Sequence, residues 1–257
     1  MKRFLLAALA VATLAGGTAE AADMGAPPPP PVRKVAPPVV IYSWSGPYWG
    51  VNVGYSWGRL SNDWTVSGLD AGSASETQDL NGVIGGFQSG INWQVGAWVF
   101  GMEADIQATG QKGATTYCLV SCDVASVAAD HKLPWLGTAR SRVGFLPTDS
   151  ILVYATYGIA YGQVRSDYTF SAGGVAFGSA ALKDTRAGWT AGAGIEGAFG
   201  GGWSAKLEYL YVDLGKRTET ITLTGVTTAS WDHRVTDHIA RVGLNYRWGA
   251  APVVASY

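Results

Sequence analysis

Charge is scarce in this chain. Lys, Arg, Asp and Glu supply 14% of 257 residues, and 18 basic against 19 acidic groups leave a net charge of −1. That is roughly half the ordinary share of charge, and so even a balance exerts no long-range pull on nucleic acid. Long hydrophobic runs are missing as well. Beyond the first 15 residues, no apolar stretch approaches the ~20 residues of a membrane helix. Cysteine is nearly absent, with two residues, and histidine is present three times. Neither an internal repeat nor a second shift of composition follows the first strand candidate.

What is present contrasts with those absences. The chain is 47% hydrophobic and 12% aromatic, with 35 glycines. Low charge with abundant aromatics excludes a disordered chain. An apolar chain without apolar runs implies alternation, the way a β-strand faces lipid on one side and a polar interior on the other.

The first 21 residues have the form of a secretory signal. Lys2 and Arg3 precede the apolar stretch Phe4–Leu14, and Ala19-Glu20-Ala21 offers small residues for cleavage before Ala22. The stretch is too short for a spanning anchor. Residues 22–45 form a Pro-rich periplasmic segment: Ala26–Pro38 holds seven of the eleven prolines and favours extended polyproline II. We read it as a spacer; the alternative is a periplasmic contact through Arg33 and Lys34.

Eight segments alternate with the period of a strand. They are Trp49–Gly58, Val83–Gln94, Ala97–Ala108, Leu133–Phe145, Ile151–Gly162, Arg186–Phe199, Trp203–Val212 and His238–Trp248. In the first, Trp49, Val51, Val53, Tyr55 and Trp57 share one face, and Gly50, Asn52, Gly54, Ser56 and Gly58 the other. In the fourth, Leu133 is grouped with outward Trp135. The fifth is the least regular, because Leu152 and Tyr154 fall on the polar face. The spacers 59–82, 109–132, 163–185 and 213–237 are long, whereas 95–96, 146–150 and 200–202 are short. Strict alternation of long and short predicts four long extracellular loops and three short periplasmic turns. A soluble sandwich has no reason to alternate so. Aromatics repeat the message. Trp49, Trp93, Trp98, Trp203 and Trp248 fall at periplasmic ends, while Trp57, Trp135 and Trp189 fall at outer ends, as two interfacial girdles require.

Eight strands enclose an interior that side chains can fill. The inward positions include Glu103, Asp105, Glu196 and Glu208 against Arg140, Arg142, Lys206, Arg241 and Arg247. Confined charges must pair or suffer a large desolvation cost. The reading is a paired network that plugs the lumen; the alternative is a narrow ion path lined by the same charges. Inward glycines are expected to make room for the arginines.

No catalytic site is predicted. Ser121, Ser230 and Asp237 lie near histidines, but no Gly-x-Ser-x-Gly elbow supports a triad. No metal site and no cofactor are expected. Among loop residues His131, His233 or Tyr117 could serve haem, against the simpler reading of solvated polar groups. Cys118 and Cys122, spaced C-x3-C, are expected to close a small disulfide loop in an oxidising compartment.

The chain resembles the small alphaproteobacterial outer-membrane proteins of the OmpA-like, opacity-type barrel class. That branch contains RopB-type surface antigens and the haemin-binding proteins of Bartonella. The segments that carry the likeness include Gly46–Tyr55, Gly85–Gln94, Val99–Ile106, Trp135–Gly144, Gly188–Glu196, Lys206–Gly215 and Ile239–Trp248. The resemblance implies an outer-membrane structural and surface protein of the porin-family type. Haemin binding does not transfer, since no haem-binding motif can be placed. One departure is that residues 249–257 follow Trp248, the terminal aromatic that assembly machinery is expected to read.

The expectation is an all-β, eight-stranded antiparallel up-and-down barrel over residues 46–248, in the outer membrane of a Gram-negative envelope. Its leading role is structural and surface contact. A narrow diffusion pore and a surface haem or ligand binder are the alternatives, and an enzyme is not expected. The expected partners are outer-membrane lipids and lipopolysaccharide, the barrel-assembly machinery, and peptidoglycan or host surface molecules; nucleic acid is not among them.

Overall fold

Each alternating segment forms a strand in the computed structural model, which describes residues 40–67, 72–118, 121, 124–224, 227–248 and 253–254. In chain order the strands are β1 (Val40–Ile41), β2 (Gly46–Ser67), β3 (Gly72–Val95), β4 (Trp98–Cys118) and β5 (Ala125–Thr148). They continue as β6 (Ile151–Ala172), β7 (Val175–Gly200), β8 (Trp203–Thr224), β9 (Thr227–Arg247) and β10 (Val253–Val254). Strands β2 to β9 pair antiparallel with their sequence neighbours, and β2 pairs with β9 to close the barrel. Closure pairs every backbone group of the wall and leaves no edge facing lipid. The signal segment and most of the Pro-rich segment lie outside the described residues, as do residues 249–252 and 255–257.

Side chains obey the period of two. On β2, Trp49, Val51, Val53, Tyr55 and Trp57 are exposed outward, while Asn52 and Ser56 are buried. The same alternation runs along β4 from Trp98 to Gln107.

Two sequence expectations are corrected. The long spacers are not free loops. The ladders continue through them, so that Val66 still pairs with Gly72 and Ala172 with Val175. The last of these turns is Gly173-Gly174, both at positive φ, as a tight two-residue hairpin demands. Leu133, expected outward, is 1% exposed inside the barrel. A register shift between Lys132 and Trp135 inverts the phase there. Leu152 and Tyr154, which fall on the polar face of the fifth segment, are buried inside, as are Leu210 and Ile239.

Outside the closed band the wall divides. The β3–β4 ladder ends outward at Asn81–Lys112, and the β7–β8 ladder at Trp189–Asp213. Beyond those rungs β3, β2, β9 and β8 continue as one sheet, and β4, β5, β6 and β7 as another. At the opposite end Val40–Ile41 pairs with Val253–Val254, tying the segment before the barrel to the tail behind it.

Candidate functional site

The interior is layered. Nearest the periplasmic turns lies an apolar layer of Trp44, Val99, Leu146, Leu152 and Tyr154. Trp44 precedes β2, donates from Nε1 to the Asp149 carbonyl at 3.0 Å, and is fully buried. Farther out on the same strands come the charges, and beyond them a second apolar layer including Leu60, Leu80, Leu133, Leu136, Leu210 and Ile239.

Of the nine charges expected in the lumen, eight form one network in the middle layer. Arg140 reaches Glu103 at 2.5 Å, Asp105 at 2.8 Å and Glu208 at 3.1 Å. Arg241 reaches Asp105 at 2.8 Å and Glu208 at 2.6 Å. Lys206 Nζ lies 2.8 Å from both oxygens of Glu103. Arg142 pairs with Glu196, whose other oxygen accepts from Ser204 at 2.5 Å and from Asn245 at 2.9 Å. Four acids therefore face four bases, all buried. Charges removed from water hold only when such pairing and hydrogen bonding are near complete.

Arg247 departs from the expectation. It makes no ion pair among the described residues; its Nη1 donates to the Ser43 carbonyl at 2.7 Å, and its guanidinium lies 5.0 Å from the rings of Tyr42 and Trp44. It serves the periplasmic closure rather than the central network.

Two tyrosines missed by the sequence reading join that network. Tyr48 donates to Glu103 at 2.8 Å, and Tyr154 donates to Glu208 at 3.0 Å while Arg142 stacks 3.6 Å from its ring. The phase break at Leu152 and Tyr154 was the available signal. The glycines are correspondingly shared. A Cβ on Gly54 would meet the neighbouring strand itself, against the Ala240 carbonyl oxygen and 2.7 Å from Arg241 Cβ, but on Gly90 or Gly194 it would stand 2.5 Å from the phenol of Tyr48 or Tyr154. A further polar knot, also missed, sits above the network: Asp237 accepts from Ser56 and, at 2.9 Å, from Gln111.

The girdle residues Trp49, Trp57, Trp93, Trp98, Trp189, Trp203 and Trp248 are exposed on the outer wall, and Trp135 is half-buried there. Ring contacts link them into belts: Trp49 with Trp248 at 6.2 Å on one side, Trp135 with Tyr161 at 6.0 Å and Trp189 with Tyr211 at 5.2 Å on the other.

The outer mouth brings together residues far apart in sequence. His131 on β5 turns inward and its Nδ1 lies 2.8 Å from Ser166 Oγ. His233 on β9 turns inward from the opposing sheet, its Nδ1 2.6 Å from Asn62 Oδ1. Burial, and secondarily the nearby His233, hold the His131 imidazole below its ordinary pKa. Tyr117 on β4 lies close to Asn62. Cys118 is disulfide-bonded; Cys122 lies outside the described residues. No group of three or more metal-ligating side chains occurs among the described residues.

Comparison with known proteins agrees with this architecture. The family model for the outer membrane protein beta-barrel domain matches residues 5–247. The chain is similar to the 31 kDa outer-membrane immunogenic protein of Brucella melitensis, 35% identical across 96% of this chain and 100% of that protein. It is also similar to the 22 kDa outer membrane protein of Rhizobium leguminosarum bv. viciae, 32% identical across 69% of this chain and 68% of the other. Among solved structures, the outer membrane protein OprG of Pseudomonas aeruginosa is 13% identical, covers 81% of this chain and 99% of its own, and has a TM-score of 0.42. Eight strands in a closed ring, a lipid-facing wall, the family model and the Brucella relative make this an outer-membrane protein, and the chain belongs to the outer membrane protein β-barrel domain family.

Proposed function

We propose that this protein is a structural and surface-contact barrel of the outer membrane whose lumen is closed by its own side chains. The observation that carries the reading is the layered interior. A neutral set of four acids and four bases lies between two apolar layers. A conducting path would have to disrupt buried ion pairs and wet both apolar layers, each of which opposes the passage of ions. What is left for contact is the pair of extracellular sheets. Relatives named as outer-membrane immunogenic proteins support a role exposed to the surroundings.

Planar-bilayer recording of the purified, folded protein tests this. The expected result is no conductance steps. Regular single-channel steps would establish the narrow diffusion pore instead.

Ligand capture at the outer mouth is a second reading, favoured by one observation. His131 and His233 come from opposing sheets to the same inner face, and Asn62, which His233 contacts, lies close to Tyr117. Haem titration of the wild type and His131→Ala decides it. Saturable binding lost in the variant would move this role to the front.

A further inference from the structure

The outward face of one extracellular sheet carries an unusual register. Lys112 on β4 pairs with Lys132 on β5, Lys132 pairs with Arg165 on β6, and Arg165 pairs with Lys183 on β7. Directly opposed residues of an antiparallel ladder project to the same face. At the strand spacing of ~4.8 Å, four cations in register form a row on the order of 15 Å long. Like charges set side by side on a sheet are destabilising, so nothing internal favours the arrangement.

Its neutralisation is incomplete. Asp167, one rung farther out, lies 3.5 Å from Lys132 and 3.1 Å from Arg165. Asp130 stands opposite Asp167 in the ladder. Lys112 and Lys183 enter no ion pair among the described residues. The rest of the outer wall differs. Lys216 meets Asp232 at 2.7 Å, Arg234 meets Asp213 at 2.5 Å, and Arg59 is opposed by Asp79. The surplus of positive charge is thus confined to β4–β7.

Height identifies the ligand. Lys132 lies three residues beyond Trp135, and Arg165 four residues beyond Tyr161, both members of the outer aromatic belt. At ~3.3 Å per residue on a tilted strand, that is roughly 8–10 Å above the belt. A cation at that level faces lipid head groups rather than hydrocarbon or bulk water.

We infer that Lys112, Lys132, Arg165 and Lys183 form a docking strip for the phosphate groups of outer-leaflet lipopolysaccharide. The length of the row suits a head group carrying more than one phosphate, and cations near a charged membrane surface each strengthen such binding by roughly fivefold. The attraction is exposed and weakens as salt rises.

The test uses the full chain, purified and folded in mixed micelles with lipopolysaccharide, and counts glycolipid retained per protein. Four proteins are compared: the wild type, a strip variant with Lys112→Gln, Lys132→Gln, Arg165→Gln and Lys183→Gln, and a control with Arg59→Gln, Lys216→Gln, Arg217→Gln and Arg234→Gln. The fourth is the Lys112→Gln, Lys183→Gln double variant, which disturbs no described ion pair. The strip variant is expected to lose at least tenfold in retention, the double variant several-fold and the control less than twofold. Enzymatically dephosphorylated glycolipid should bind the wild type as weakly as intact glycolipid binds the strip variant. Folding of each variant is checked by the heat-dependent shift of its band. Where the strip variant does not fold, the double variant decides. Unchanged retention in the folded variants, equal loss in the control, or equal binding of dephosphorylated glycolipid would overturn the assignment. So would heparin binding to the strip without glycolipid retention, which would make it a receptor for soluble polysaccharide.

Discussion

The Tyr154 hydroxyl donates to Glu208 Oε1 at 3.0 Å, from an aromatic residue on an inward position of the regularly alternating strand β6. Tyr154 is apolar enough to belong to the periplasmic layer and polar enough to close one corner of the charge network. Tyr154→Phe keeps the ring beneath Arg142 and removes only that donor. A hydrogen bond to a charged group contributes about 1.5–3 kcal/mol, so urea unfolding should show a loss in that range. An unchanged midpoint would place the hydroxyl outside the network.

Removal of a charge should cost more than removal of a hydroxyl. Arg140 serves Glu103, Asp105 and Glu208 at once, so Arg140→Ala strands three carboxylates short of a partner. Breaking one side of a buried pair typically costs about 3–5 kcal/mol. Glu103→Ala should fall in the same range, since Lys206 and Arg140 lose an acceptor. Because the two residues touch, the double variant should be less destabilised than the sum of the singles. Additive losses in the unfolding midpoint would show that the pair does not interact.

How far the sequence could be read depends on what a residue faces. On β2 the period of two places Trp49 through Trp57 on lipid and Asn52 and Ser56 inside, because in the membrane band one face is apolar and the other polar. That rule fails at the ends of the lumen, where Leu210 and Ile239 face inward against other apolar side chains. It fails at Leu133 because a register shift changes the phase. In the extracellular sheets apolar residues such as Phe177 and Leu182 are exposed among polar ones instead of forming one clean face, so periodicity carries little signal and the strands read as loops. Trp44 lies in no strand segment, and only tertiary packing reveals it. The eight central charges were legible because each falls on an inward position of a regular strand; Arg247 was placed inside, but its partners were not.

Small residues opposite the tyrosines are a second constraint. A Cβ at Gly90 would stand 2.5 Å from both the Tyr48 phenol and the Met102 carbonyl oxygen, far inside contact distance. Gly90→Ala should destabilise the barrel by about 1–3 kcal/mol through overpacking. Gly90→Ala combined with Tyr48→Ala should be less destabilised than the two separate losses added together. Full additivity in denaturant unfolding would place the strain elsewhere.

Trp44 links closure of the periplasmic end to stability. It is fully buried against Val99, Leu146 and Leu152, and truncation of a buried tryptophan typically costs about 3–5 kcal/mol. Trp44→Ala should lower the unfolding midpoint accordingly, while bilayer recordings stay silent because the central charges still block the path. Conductance on this single change would make residues 42–45 the principal barrier.

Acidity should act on the outer mouth. Burial, and secondarily His233, hold the His131 pKa below its ordinary value of 6.5. Between the folded value and 6.5 the unfolded state binds more protons than the folded state, so stability rises with pH across that window. On acidification from pH 7 through that window, the β5–β6 ladder around His131 and Ser166 should therefore open more readily. Amide hydrogen exchange, corrected for the intrinsic pH dependence of exchange, reads this locally. Protection of that ladder should fall in the wild type at pH 5, while His131→Gln, which cannot be protonated there, should show a much smaller change. Equal loss in both proteins would assign the acid response to another group.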